Sequence, residues 1–141
     1  MPKFITFLIE HGDFSVTLIH SASDTLRDLA ETILLSVNFD EDHCYGFYDN
    51  LKNPYKSNEE YTLFADIGEE AKESDTGVGS TGLEGVFKPK KKLLFLFDYG
   101  DDWHFIVTCV KIEETTSKAR KPKILDPRGT PPEQYPESDD N

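Results

Sequence analysis

The sequence predicts an α+β domain: a mixed or antiparallel β-sheet packed on one main amphipathic helix with a short second helix. Three observations predict it. Short apolar runs, several alternating with period two, dominate the chain. One stretch alone, Leu26 to Val37, carries a sustained helical period. Turn-forming residues separate the apolar runs at spacings that suit hairpins.

The centre of the sheet is predicted from Leu93 to Ile112, LLFLFDYGDDWHFIVTCVKI. Leu93 to Phe97 is an unbroken apolar run of strand length, the pattern of a strand buried on both faces. Tyr99-Gly100-Asp101-Asp102 then supplies a turn, since Gly tolerates φ > 0 and Asp bonds back to its own backbone. After it Trp103, Phe105, Val107 and Cys109 alternate with His104, Ile106, Thr108 and Val110. Gly100, mid-turn, is expected to hold a positive φ.

At the N-terminus, Phe4 to Ile9 and Phe14 to His20 read as two strands joined through His11-Gly12-Asp13, hence antiparallel neighbours. Thr25 with Asp28 fits a capping box. Leu26, Leu29, Ala30, Ile33, Leu34 and Val37 follow on one helical face, ending near Asn38. His43 to Tyr48 is an aromatic strand, and Tyr61 to Phe64 a weaker one. From Ala65 to Gly82 acidic, Gly and Ser residues predict a flexible segment. Thr81 with Glu84 offers a second capping box for a helix of one or two turns, and Lys88 to Lys92 leads into the central hairpin. Beyond Ile112 the residues are charged and loop-like, with Ile124-Leu125 as a short edge strand.

Length and composition bound the function. A chain of 141 residues fits one domain, placed at 1–125, with 126–141 as an extended Pro-rich acidic tail. The formal charge of −12 repels phosphate backbones, so nucleic acid is a disfavoured partner. Cys44 and Cys109, each inside an apolar pattern, read as buried thiols of a reducing compartment. The apolar run near the N-terminus is too short for a secretory leader or a spanning helix. A cytoplasmic protein without a membrane partner is the expectation.

Taken with their order, TLRDLAETI, FDEDHCYGFY, LFDYGDDWHFIV and RGTPPEQYP resemble the plasmid pRiA4b ORF-3-like family over nearly the whole chain. The resemblance implies the α+β roll, a bacterial or archaeal origin, an association with plasmids and transposable elements, and no established reaction. Its signature falls on His43, Asp98, Gly100, Asp101, Asp102 and Trp103, with Gly129 to Tyr135 as a supporting tail element. Two departures stand out. Many members place a histidine two residues after the tryptophan, where this chain has Phe105 and puts His104 on the opposite strand face. Thr17-Leu18 stands where many have Trp-Arg.

The candidate binding residues are therefore His43, Asp98, Tyr99, Gly100, Asp101, Asp102 and Trp103. Three clustered carboxylates suit a hard divalent cation, yet Asp also dominates turns for local hydrogen-bonding reasons. No zinc spacing, Walker loop, Rossmann fingerprint or nucleophile elbow appears, so no catalytic residue, metal or cofactor is assigned. Tyr99 is expected to be exposed, Asp98 to be held by turn N–H groups, and Asp101 and Asp102 to face water. The expected function is a small non-enzymatic binding or accessory domain whose partner is a protein or small molecule. A metal-assisted hydrolase using His43 with Asp98, Asp101 and Asp102 is the alternative, and a DNA-associated factor of a mobile element the second alternative.

Overall fold

The computed structural model describes residues 2–63, 76–116 and 121–135. In chain order the elements are β1 (Lys3–His11), β2 (Phe14–Ser21), α1 (Leu26–Ser36), β3 (Tyr45–Tyr48), β4 (Glu60–Thr62), β5 (Thr76–Gly77), α2 (Leu83–Val86), β6 (Lys92–Phe97), β7 (Trp103–Glu114) and β8 (Lys123–Arg128). The strands form one sheet in the order β5-β4-β3-β6-β7-β1-β2-β8. Every pairing is antiparallel except β4 with β5, so the sheet is mixed and the domain α+β, mostly sheet with one main helix. Phe64, most of the acidic Gly/Ser-rich stretch and the tail beyond Tyr135 lie outside the described residues.

The β6–β7 hairpin occupies the middle of the sheet, as its composition predicts. Leu93 to Phe97 is buried on both faces, which is why the run carries no polar alternation. Along β1 and β2, Ile5, Phe7, Ile9, Phe14, Val16 and Leu18 point to one face and are essentially inaccessible. They share one core with Leu26, Leu29, Ala30, Ile33 and Leu34 of α1. The β1–β2 connection is the two-residue Gly12-Asp13, with φ +57 at Gly12 and pairing of His11 with Phe14, the pattern of a type II′ turn.

Both ends of α1 are closed by local chemistry. Asp28 N–H donates to Thr25 Oγ1 at 3.2 Å and Thr25 N–H to Asp28 Oδ2 at 2.9 Å, the expected capping box. Such a cap contributes about 1 kcal/mol. At the other end Asn38 takes φ +59, Phe39 N–H donates to Leu34 O and Asn38 N–H to Leu35 O, the Schellman pattern. This ending turns the chain sharply and buries Phe39 among Phe97, Trp103 and Phe105. It also delivers Asp40 to His43 to the end of the sheet where the β6–β7 turn lies.

Three local expectations are corrected. Thr81 does not cap α2: Gly82 is the N-cap, and Thr81 Oγ1 donates instead to Gly77 O at 2.7 Å. Within the segment predicted to be flexible, Thr76 and Gly77 pair with β4, and Val78 is buried in the core. Pairing and one buried side chain override the loop-like composition there. Of the two unbridged cysteines, Cys109 is buried as expected, whereas Cys44 precedes β3 and is only half-buried.

Candidate functional site

The β6–β7 turn is a five-residue loop, closed by pairing of Phe97 with Trp103 and by Asp102 N–H donating to Asp98 O at 2.6 Å. Its strained positions are Asp98 (φ +60) and Asp102 (φ +57), not Gly100, whose φ is not in the left-handed region. The expectation for Gly100 is thus overturned. The chain reverses by placing left-handed residues at the two ends of the loop, and Asp tolerates that conformation because its short side chain bonds locally. Asp98 does so: its Oδ1 accepts Gly100 N–H at 3.1 Å and Asp101 N–H at 3.3 Å. Asp98 is buried, while Asp101 and Asp102 are exposed, Asp102 meeting His104 Nε2 at 2.8 Å.

His43 approaches this turn from the neighbouring strand's entrance, because β3 pairs with β6 and Asp98 N–H donates to Cys44 O. His43 Nε2 lies 3.3 Å from Asp98 Oδ2 and 3.7 Å from Asp42 Oδ1, with the ring against Phe97. Among the predicted site residues, His43 and Asp98 are brought together. Trp103 sits across the sheet end, half-buried against Phe39 and His11, its Nε1 buried without an acceptor among the described residues. Tyr99 departs from expectation: it is half-buried, with its hydroxyl 2.6 Å from that of Tyr48. Burial and this bond push its ionisation far above the ordinary range.

The tail completes the corner. Tyr135 donates to Asp42 Oδ2 at 2.8 Å, and His43 Nε2 lies 2.9 Å from the same phenol oxygen. The phenol has one proton and Asp42 takes it, so the imidazole must be the donor to Tyr135 and Nε2 carries a hydrogen. Gln134 donates from Nε2 to Asp40 O at 3.1 Å and to Asp42 Oδ1 at 3.0 Å, and its Oε1 accepts Asp40 N–H at 2.6 Å. The bond from Tyr135 holds the Asp42 carboxyl below its usual range, and in return the phenol is pushed up to about 12. Asp40, Asp42 and Gln134 are absent from the predicted site. The local signs of them are the acidic turn that ends at Asp42 before His43 and the G-x-x-P-x-Q-Y spacing of the tail.

A family model described as plasmid pRiA4b ORF-3-like protein matches residues 17–137. The chain belongs to that family. Within this pRiA4b ORF-3-like chain, the matched region runs from inside β2 to past Tyr135, so it includes the tail residues at the corner. The crystal structure of a protein of unknown function, MM3350 from Methanosarcina mazei Go1, superimposes with a TM-score of 0.70 at 15% identity. The similarity covers 90% of this chain and 70% of that one, and at that identity it shows the fold alone. No curated protein matches.

Of the family signature, His43 and Asp98 form a contact, Trp103 packs on the core, and Gly100, Asp101 and Asp102 shape the exposed turn. His104 lies on the other face of β7 from Trp103 and Phe105, and is tied to Asp102 rather than to the corner. Among the described residues no three His, Cys, Asp or Glu side chains stand together as a metal-ligand set. Of the lysines before β6, Lys91 has structural partners, its Nζ donating to Val86 O at 2.6 Å and to Glu59 Oε2 at 2.8 Å, while Lys90 turns with φ +77. Among the described residues no helix is long and apolar enough to cross a membrane.

Proposed function

We propose that this pRiA4b ORF-3-like protein is a small non-enzymatic binding or accessory domain, cytoplasmic, that engages a protein or small molecule at the His43–Asp98 end of its sheet. The observation that carries the reading is the way Asp98 is used. One of its oxygens accepts two turn N–H groups and the other faces His43, so its carboxylate is committed to holding the turn. Asp101 and Asp102 are turned to solvent beside it rather than converging with it. What remains at this end is a polar, hydrogen-bonding corner on a well-packed sheet, a surface suited to recognition. With no basic stripe in the sequence, nucleic acid is the less suited partner.

The 3.3 Å approach of His43 Nε2 to Asp98 Oδ2 favours one alternative, a metal-assisted hydrolase using His43, Asp98, Asp101 and Asp102. Calorimetric titration with magnesium, manganese, calcium and zinc separates the two. The binding-domain reading expects no tight uptake. Affinity of about 1 μM or better, abolished by Asp98→Asn and by Asp101→Asn with folding intact, would make the hydrolase the better description.

A further inference from the structure

From Lys121 to Tyr135 the chain lies on the surface: all residues are exposed except half-buried Pro132 and buried Gln134. A lone buried glutamine in an exposed segment is an anchor, since its amide would be as well served by water unless the protein answers every group. Here it is answered. The carboxamide pairs with both main-chain groups of Asp40 and with the Asp42 carboxylate, and the next residue, Tyr135, bridges Asp42 and His43. The chain reaches this point through Gly129, where φ is +79 and a Cβ would fall 2.1 Å from Asp13 O. Only a glycine lets the segment leave β8 across the β1–β2 turn.

What holds the segment is polar. Neither Gln134 nor Tyr135 belongs to the hydrophobic core, and beside their hydrogen bonds a hollow of about 420 Å³ is lined by Pro131 to Tyr135 together with Val37, Asn38 and Asp40. Hydrogen bonds exchanged with water contribute little net free energy each, and segments held with little apolar burial open locally well below the global unfolding free energy. Opening exposes Asp40 N–H and C=O, the Asp42 carboxylate and His43 Nε2 in an arrangement already complementary to a carboxamide followed by a phenol.

We propose that Gln134-Tyr135 is a displaceable latch, an internal occupant of a notch that binds peptide segments presenting a carboxamide and an adjoining phenol. The proposal rests on reading this end of the sheet as a binding surface, and it names the class of ligand. A tethered occupant competes at an effective concentration in the millimolar range, so the closed chain masks the notch from free peptide.

The test uses the full chain and a blocked, labelled peptide of residues 129–135, followed by fluorescence anisotropy. Receptors are the wild type, Gln134→Ala with Tyr135→Phe, and that double variant with Asp42→Ala added. Saturable binding is expected to the double variant, roughly tenfold or more weaker to the wild type. It is expected to be lost with Asp42→Ala, or when the peptide glutamine is replaced by alanine. Four outcomes overturn the proposal: no binding to the double variant up to about 1 mM, equal binding to wild type and double variant, indifference to Asp42→Ala, or loss of a cooperative melt in the double variant. The last would make the segment part of the fold rather than a latch. A null peptide titration removes the latch alone, whereas tight metal uptake through Asp98 and Asp101 removes the binding-domain reading, so the two failures are distinguishable.

Discussion

Tyr48 and Tyr99 meet hydroxyl to hydroxyl, 2.6 Å apart, above Gly46. A Cβ on Gly46 would stand 2.9 Å from Tyr48 Cε2 and from both phenol oxygens. Glycine inside a strand commonly marks such a close approach, and here an aromatic ring covers the main chain that it leaves bare. Gly46→Ala is expected to lower stability by about 1–3 kcal/mol, the range for overpacking a filled site. Chemical denaturation measures it; an unchanged midpoint would mean that the two rings move aside freely.

The central turn separates two substitutions that look alike in the sequence. Gly100→Ala places its methyl 3.4 Å from Asp98 Oδ1, an ordinary contact, without a left-handed φ to resist it. It is expected to change stability by less than about 0.5 kcal/mol. Asp98→Ala loses both turn bonds and puts an alanine at φ +60, and is expected to cost about 1–3 kcal/mol. Asp98→Asn, which keeps an acceptor and tolerates the conformation, should fall between them. Equal melting temperatures for all three would contradict this account of the turn.

His20 gives the fold an acid-sensitive point. It is fully buried beside Phe7, its Nδ1 is 2.9 Å from Asp24 Oδ2, and its Nε2 has no partner among the described residues. Burial lowers its pKa below the ordinary 6.5, outweighing the opposing pull of Asp24 and Asp28. As pH falls through that ordinary value the unfolded chain takes up a proton that the folded chain refuses, so stability is lost on the acid side. The acid limb of stability against pH should therefore be steeper for the wild type than for His20→Asn, whose amide can still donate to Asp24. Superimposable limbs would refute the assignment.

Tyr135 should titrate late. A phenol raised from 10 to about 12 by donating to Asp42 stabilises the closed corner below pH 10, and that contribution disappears as pH climbs through about 12. Asp42→Asn removes the carboxylate that causes most of the shift and should return one phenol toward 10. Ultraviolet difference titration of wild type, Asp42→Asn and Tyr135→Phe identifies which tyrosine moved; identical curves for the first two would show that the bond does not form in solution.

What the sequence determined by itself is what neighbours along the chain decide. Leu93 to Phe97 and the alternation after Trp103 place a hairpin at the centre of a sheet, and Thr25 with Asp28 start the one long helix, because period and capping depend on residues a few positions apart. The service of Asp98 by the N–H groups of Gly100 and Asp101 is equally local. Tertiary structure decided the rest. Tyr99 turns inward because Tyr48 and Gly46 lie beneath it on another strand. The left-handed positions fall on Asp98 and Asp102, not Gly100, because the pairing of Phe97 with Trp103 fixes where the loop must bend. The corner itself joins Asp40, Asp42 and His43 to residues more than 90 positions away. Its key partner, the main chain of Asp40, looks the same at every residue and becomes a binding group only when folding brings Gln134 to it.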